Sequence, residues 1–415
     1  QIQPIVESIV EQIEEIIQVD EAPVEQVIIE SSVPVDTCAN ALGNGDVIIS
    51  GPSETNSADR DNPFHSLTVH PTDPNHIIVG TERNGFLSSR DGGTSWERLR
   101  YGLRHEGGGY PEIYDIAIAK SNPDILYAAT VGSPGPLTGE FHSSSGVYKS
   151  IDAGVTWERK NCGIQDNGGR TTGVFVDPLD ENHAFIGISG GKVSHFTQDI
   201  PAGQYIDGGV YETTNGGDQW VRLNVAANDA KNRFRYFKSP ALKSNILYIF
   251  GMTFEDDLDI GLVKSVDSGK TWEQVGEAVR NISGGGFDVS SDGMTLYVHS
   301  NEYLIYKSTD AGETWTTYPR LTSGYSIAVS PQDSDRVIYG QVDGLYLSTD
   351  GLLNVTKVLS IDDSERRIGD IVFAPSNPSI VYMITDGYII YKSSDSGATF
   401  AQIGDLRNEV LNVNP

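Results

Sequence analysis

The chain has 415 residues, and its 57 acidic residues outnumber the 29 basic ones, which gives a formal net charge of −28. A charge of this sign repels phosphate backbones and anionic lipid headgroups, so it argues against nucleic-acid binding and membrane association. The sequence has no apolar stretch of the ~20 residues that a transmembrane helix needs. Two cysteines exclude a disulfide-rich scaffold, and 45 glycines favour many tight turns between short strands.

The N-terminal 19 residues predict a helix. Their apolar residues recur at spacings of three or four: Ile2, Val6, Ile9, Ile13 and Ile16. So short a helix leaves two interpretations open, a segment for self-association or docking and a frayed isolated helix. Glutamates interrupt the apolar positions, so this is no signal peptide, and we expect any targeting segment to be absent from this chain. Pro23 and Pro34 predict an extended linker over 20–40.

From about residue 62 the chain repeats a motif of the form Ser-x-Asp-x-Gly-x-Thr-Trp. The copies carry at the third position Asp91, Asp152, Asn215, Asp267, Asp310, Asp350 and Asp395. All five tryptophans of the chain occupy the last position, which Val355 and Phe400 take in the other two copies. Spacings run from 40 residues, between Trp315 and Val355, to 63 residues, between Trp157 and Trp220. A repeat of this length fits four short strands with their turns.

The chemistry of the motif is that of a tight turn between two strands. An aspartate can accept backbone amide hydrogen bonds, and a glycine two residues later can adopt a positive φ. Alternating segments such as 146–149 and 304–307 precede the turn, and the tryptophan begins the next strand, where we expect it to be largely buried between sheets. The sequence therefore predicts an all-β fold over 41–415, a seven-bladed propeller of four-stranded antiparallel blades, after an N-terminal arm over 1–40.

These residues resemble the Asp-box, or BNR, repeat β-propellers, a family that includes sialidases, xyloglucanase-type glycoside hydrolases, the sortilin luminal domain and photosystem assembly factors. The resemblance covers roughly 62–403. It implies that the motif aspartates are structural and that the turns carrying them lie opposite the face that binds ligands. Because the family contains enzymes and non-enzymes, it does not by itself imply an activity.

Long connections in the first four blades are the candidate binding loops, at 100–112, 131–145, 162–170, 189–209 and 255–259. Their candidate ligand-binding residues are Tyr110, His142, Arg170, His195, Tyr205 and Asp257. Long loops gathered on one face of a scaffold are typical of binding sites, although tolerated insertions would look the same.

A catalytic site would need carboxylates. The sialidase resemblance fails at 62–67, where the sequence lacks the arginine that family carries. The xyloglucanase resemblance implies two facing propellers with one catalytic carboxylate from each, and Glu82 is the candidate here, against the alternative of an ordinary rim glutamate.

Two further candidate sites concern a metal and a disulfide. The acidic run Glu255, Asp256, Asp257 and Asp259 offers hard oxygen ligands for calcium, although such a run is often only solvated. No cofactor is otherwise required. Cys38 and Cys162 are candidates for one disulfide in an oxidising compartment, or for two free thiols.

The functional interpretation at this point is a secreted or cell-surface propeller that binds a protein or a glycan through the loops of blades 1 to 4. The alternative is a glycoside hydrolase or lyase with a carboxylate site on the same face. Catalysis therefore stays an open question, with binding favoured.

Overall fold

The computed structural model describes most of the repeat region. The described residues are 66–81, 84–103, 110–131, 145–164, 170–192, 205–206, 208–226, 233–252, 260–280, 282, 286–300, 303–319, 326–362 and 368–406. The predicted helix and arm over 1–40 lie outside them. Within the described residues, no helix is long and apolar enough to cross a membrane.

Seven four-stranded antiparallel sheets form the blades, which confirms the predicted seven-bladed propeller. Blade 1 contains β1 (Ser66–Val69), β2 (Ile77–Gly80), β3 (Phe86–Ser89) and β4 (Glu97–Leu99). Blade 2 contains β5 (Glu112–Ile118), β6 (Leu126–Val131), β7 (Gly146–Ser150) and β8 (Glu158–Arg159). Blade 3 contains β9 (Thr171–Asp177), β10 (Asp180–Ile188), β13 (Gly209–Thr213) and β14 (Val221–Leu223), with an inserted pair, β11 (Gly191–Lys192) and β12 (Tyr205–Ile206).

The remaining blades follow the same order. Blade 4 contains β15 (Arg233–Lys238), β16 (Leu247–Met252), β17 (Gly261–Ser265) and β18 (Glu273–Gln274). Blade 5 contains β19 (Phe287–Val289), β20 (Leu296–His299), β21 (Leu304–Ser308) and β22 (Thr316–Pro319). Blade 6 contains β23 (Ile327–Ser330), β24 (Asp333–Gln341), β25 (Gly344–Ser348) and β26 (Thr356–Ser360). Blade 7 contains β27 (Ile368–Phe373), β28 (Val381–Thr385), β29 (Ile389–Ser393) and β30 (Ala401–Asp405). In the described residues, the 3-10 turn Glu277–Val279 follows blade 4.

The hydrophobic core lies between blades. In the described residues the buried side chains form seven clusters, and each cluster joins two neighbouring blades. The cluster between blades 7 and 1 contains Leu67 and Val79 from the first blade and Tyr382 and Ile384 from the last. Burial of apolar surface at every interface therefore holds the ring together, because the two faces of a blade can be buried only against its two neighbours.

The motif turns share one hydrogen-bond pattern, which Asp310 illustrates. Its carboxylate accepts hydrogen bonds from the backbone amide of Thr314 at 2.8 Å and from the hydroxyls of Thr314 and Ser308. The Ser308 hydroxyl in turn accepts a hydrogen bond from the amide of Gly312 at 2.8 Å. Gly312 has a φ of 99°, which explains the glycine in the motif.

The motif tryptophans are less uniform than predicted. Trp157 and Trp220 are buried, with 4% and 1% exposure, whereas Trp96, Trp272 and Trp315 are only half-buried. The Nε1 of Trp220 donates to the carbonyl of Lys160 at 2.8 Å, in the preceding blade. The half-buried indoles donate within their own turns, as Trp315 does to Gly312 at 2.9 Å.

A second repeated contact, which the sequence analysis did not predict, lies within a blade and extends from there to the next blade. It pairs a tyrosine on the second strand with a lysine on the third, the ammonium lying over the ring. The pairs, with their distances to the ring centroid, are Tyr127 and Lys149 (5.1 Å), Tyr248 and Lys264 (5.8 Å), Tyr297 and Lys307 (5.4 Å), and Tyr382 and Lys392 (5.3 Å). Each tyrosine hydroxyl donates to a backbone carbonyl of the next blade, as Tyr127 does to Glu181 at 2.9 Å.

Candidate functional site

The candidate site lies at the face where each innermost strand begins. Because the four strands alternate in direction, this face also carries the ends of the strands that flank the long connections of blades 2, 3 and 4. The motif turns and the turns between first and second strands lie on the opposite face. We call the face where the innermost strands begin the ligand face. We call the passage lined by the seven innermost strands the channel.

Innermost strands of three successive blades are irregular. The pairing register shifts at Tyr114 in β5, at Thr172 in β9, and at Tyr236 and Phe237 in β15. Another shift occurs at Gly369 in blade 7. Such β-bulges redirect side chains and are frequent beside active sites. The bulges of blades 2 to 4 coincide with the blades that carry the long second-to-third-strand connections.

Arg235 lies between two of the bulged residues. Its guanidinium carbon is 5.4 Å from the ring centroid of Tyr114 and 4.9 Å from that of Tyr236. A side chain of blade 4 therefore contacts a side chain of blade 2, although blade 3 lies between them in the ring. The hydroxyl of Thr172 donates to the carbonyl of Phe234 at 2.9 Å and fixes the intervening strand. Tyr236 has a φ of 56°, a left-handed conformation that is unusual for a bulky residue.

Four charged side chains on the described innermost strands act on one another across the channel: Asp115, Lys238, Asp288 and Asp370. The Lys238 ammonium is 3.5 Å from the Asp288 carboxylate, and 39% of the lysine side chain is exposed in the channel. Burial lowers the pKa of Lys238, but the charges of Asp288, Asp370 and Asp115 outweigh it and raise the pKa overall. Lys238 is therefore cationic and is the shared counter-ion of three carboxylates.

The same aspartates connect blades. Asp115 accepts from the amide of Val174 at 3.0 Å, Asp288 from Val329 at 2.8 Å, and Asp370 from Leu67 at 3.1 Å, each donor lying in the next blade. Desolvation raises the pKa of Asp115, and it raises the pKa of Asp370 to about 6, against the opposing effects of these amides and of Lys238. These residues were missed by sequence reasoning, although an aspartate in the innermost strand of three repeats was a usable signal.

The hairpin that carries Glu82 is held next to blade 2. Glu82 itself lies outside the described residues, but the residues on both sides of the hairpin tip are described. The Thr81 hydroxyl donates to the Gly85 carbonyl at 2.8 Å and accepts from the Asn84 amide at 2.9 Å. The carbonyl of Thr81 accepts from the amide of Ile113 at 3.0 Å. The hairpin is thus anchored at the ligand face, one residue from Tyr114.

The structure describes three of the six predicted ligand-binding residues. Tyr110 precedes β5 and lies under Arg100, whose guanidinium carbon is 5.2 Å from the ring centroid. Arg170 precedes β9, is exposed, and its carbonyl accepts from the amide of Ser189 at 2.8 Å. Tyr205 lies in the inserted strand β12. All three belong to ligand-face segments. The other three, His142, His195 and Asp257, lie outside the described residues, and the six stay predictions.

The structure describes only part of the predicted metal and disulfide sites. The acidic run of Glu255, Asp256, Asp257 and Asp259 lies outside the described residues, and in the described part no three acidic, histidine or cysteine side chains gather in a metal-binding cluster. Cys162 is disulfide-bonded. Its predicted partner, Cys38, lies outside the described residues, so the pairing stays a prediction.

Comparison with known proteins finds similarity to xyloglucanases. No protein-family model matches the chain. The chain is 24% identical over 319 residues to a xyloglucanase of a Paenibacillus species, covering 70% of this chain and 26% of the relative. It is 24% identical over 402 residues to a xyloglucanase of Hypocrea jecorina, covering 77% and 44%. The chain therefore spans less than half the length of these curated relatives.

Solved structures agree on the fold. The GH74 enzyme of Niastella koreensis superposes with a TM-score of 0.58 at 18% identity, covering 82% of this chain and 53% of that one. YCF48 bound to D1 peptide superposes with a TM-score of 0.56 at 14% identity, covering 81% of this chain and 94% of that one. At such identities the likeness shows the shared propeller and no more.

The interpretation of the chain as a binding module rather than an enzyme is wrong. The curated relatives that cover 70% to 77% of it are xyloglucanases, which favours the alternative of a glycoside hydrolase. The error has a physical origin: the repeated motif builds turns and blade contacts, and these are the same in propellers with and without catalytic groups.

Proposed function

We propose that this chain is a glycan-acting propeller of the glycoside hydrolase type, with a β-glucan such as xyloglucan as its substrate. The observation that carries the proposal is the similarity to three xyloglucanases across most of the chain. A polysaccharide is too large to enter a cell intact, so the proposal also places the protein outside the cell.

Glycoside hydrolysis commonly uses two carboxyl groups, one as general acid and one as base or nucleophile. We assign one of these roles to Glu82. Its hairpin is fixed by Thr81 and Asn84 and is bonded to Ile113 beside the bulged Tyr114. The channel carboxylates are poor candidates, because Asp115 and Asp370 each accept two backbone amides and share Lys238.

The chain spans 26% to 44% of three curated relatives and about half of the Niastella koreensis enzyme. The second carboxylate is therefore proposed to come from a facing propeller, as the resemblance to two-propeller enzymes implies. The long ligand-face connections of blades 2 to 4 would then form one wall of a cleft that holds an extended chain of sugars.

The test measures xyloglucan binding and release of reducing ends by the intact chain, with the α-glucan amylose as the comparison polysaccharide. Glu82→Gln should reduce any hydrolysis by about 10²- to 10⁴-fold while binding persists. Glu97→Gln is the matched control, because Glu97 is exposed on the outermost strand of the same blade. Binding without hydrolysis is the result expected if the second carboxylate comes from a facing propeller, and absence of xyloglucan binding would overturn the proposal.

A further inference from the structure

Arg235 differs from Arg159 and Arg222 in how its guanidinium is used. Arg159 donates to the carbonyl of Ser145 at 2.9 Å, and Arg222 donates to that of Gly208 at 3.1 Å, each closing the base of a long connection. Within the described residues, the guanidinium of Arg235 makes only its two ring contacts, with no hydrogen bond or ion pair. A guanidinium has five N–H donors, so the described protein atoms leave these unused.

The surroundings of Arg235 hold it in one orientation. Tyr114, which is 8% exposed, and Tyr236 lie on the guanidinium from blades 2 and 4. Of the described non-glycine residues with positive φ, Tyr236 alone lies inside a strand. Strain of this kind persists where surrounding structure enforces it, and it is concentrated at functional sites. A guanidinium stacked on rings loses little freedom when it forms hydrogen bonds.

We propose that Arg235 is a ligand-binding residue of the glycan site and donates paired hydrogen bonds to adjacent hydroxyl groups of a neutral sugar at the channel mouth. Tyr114 and Tyr236 are the positioning residues that hold the guanidinium. This inference rests on the proposed function and adds to it a second contact point, separate from Glu82 and on different blades.

The charges of the channel and of the whole chain favour a neutral sugar over an acidic one. Asp115, Asp288 and Asp370 share the ammonium of Lys238 in the channel. Asp115 lies close enough for the positive charge of Arg235 to act on its carboxylate. The whole chain carries a net charge of −28. With Arg235 included, three carboxylates stand against two cations, so a uronic acid would meet no excess of positive charge, whereas hydroxyl groups can donate to Asp115 and accept from the arginine.

The experiment compares wild-type protein with Arg235→Met and Arg235→Lys by affinity electrophoresis in gels containing xyloglucan. Arg235→Met should raise the apparent dissociation constant on the order of 10- to 100-fold, because it removes charge-assisted hydrogen bonds. Arg235→Lys keeps the charge beside Asp115 and loses the paired donors, so its effect should be smaller but clear. Arg90→Met is the matched control, since Arg90 is 55% exposed on the opposite face, and its affinity should equal that of the wild type.

The outcomes separate this inference from the proposed function. If wild-type protein is not retained by xyloglucan, the proposed function fails. If wild-type protein is retained and both Arg235 variants, folded by their melting temperatures, are retained equally, only the role of Arg235 is overturned. Stronger retention of wild-type protein by polygalacturonate, an acidic polymer, would overturn the neutral-sugar assignment. Should Arg235→Met fail to fold, Arg235→Lys alone decides the question.

Discussion

The backbone amide of Leu67 donates a hydrogen bond of 3.1 Å to the carboxylate of Asp370, which joins the first blade to the last across 303 positions of the sequence. The hydroxyl of Tyr382 adds a bond of 2.9 Å to the carbonyl of Pro74 at the same interface. No strand is exchanged between the described parts of these two blades, so side chains and the apolar cluster around Leu67 close the ring.

Replacing Asp370 with alanine should destabilise this closure. The amides of Leu67 and Ile371 would both lose their acceptor. An unsatisfied buried donor costs about 1–3 kcal/mol, and we expect a loss of that size in the free energy of unfolding. Urea denaturation measures it, with Asp124→Ala as the control because Asp124 is exposed. Equal midpoints for the two variants would show that Asp370 does not hold the ring.

Acid should unfold the propeller through the motif turns. Hydrogen bonds from Thr271, Thr314 and Thr399 lower the pKa of Asp267, Asp310 and Asp395 to about 2. Because the folded pKa lies below the unfolded value, each turn contributes stability above pH 4, and this stability is lost as pH falls from about 4 to 2. Tryptophan fluorescence during acid titration follows the loss.

Asp310→Asn tests this linkage. Blade 3 already has asparagine at the equivalent position, where Asn215 accepts from the amide of Gln219 at 3.0 Å, so the turn tolerates the amide. We expect the variant to remain folded at pH 7 and to show a weaker dependence of stability on pH between 4 and 2. An unchanged dependence would mean that Asp310 does not contribute to acid unfolding.

A histidine in blade 3 should produce the opposite dependence near neutral pH. Nδ1 of His183 is 3.0 Å from the Asp177 carboxylate, and Nε2 is 2.8 Å from that of Glu212. The hydrogen bond to Glu212 and that to Asp177 raise the pKa of His183 above 6.5, against burial. Both bonds need the doubly protonated ring, so their stability is present below pH 6.5 and is lost as pH rises through the folded pKa.

His183→Gln should remove this part of the pH dependence. The melting temperature of the wild type should fall as the pH rises above 6.5, and that of the variant should fall less. Asp370, whose pKa is raised to about 6, also makes stability fall with rising pH, but over the lower window from about 4 to 6. Measuring both proteins in an Asp370→Asn background separates the two groups, and parallel curves there would exclude His183 as the cause.

The propeller was predictable because its turn chemistry is local. Asp310, Ser308 and Gly312 lie within five residues, so their spacing in the sequence already specifies the bonds among them. Arg235 and Tyr114 are 121 positions apart, and no spacing relates them. Their meeting depends on bulges that appear only once the strands are paired. The tyrosine and lysine pairs were missed for another reason. Each of these residues occupies an ordinary strand position, and only the folded structure brings the carbonyl of the next blade to the tyrosine hydroxyl.

The tryptophans offer a test of which motif positions stabilise blade contacts. Trp220 is 1% exposed and bonds to Lys160 in the preceding blade, so Trp220→Ala should cost about 3–5 kcal/mol of unfolding free energy. Trp315 is half-buried and bonds within its own turn, so Trp315→Ala should cost clearly less. Urea denaturation of both variants gives the comparison. Equal losses of unfolding free energy in the two variants would show that the indole of Trp315 stabilises the propeller through its own turn. Burial between blades could not explain equal losses, because it differs strongly between the two sites.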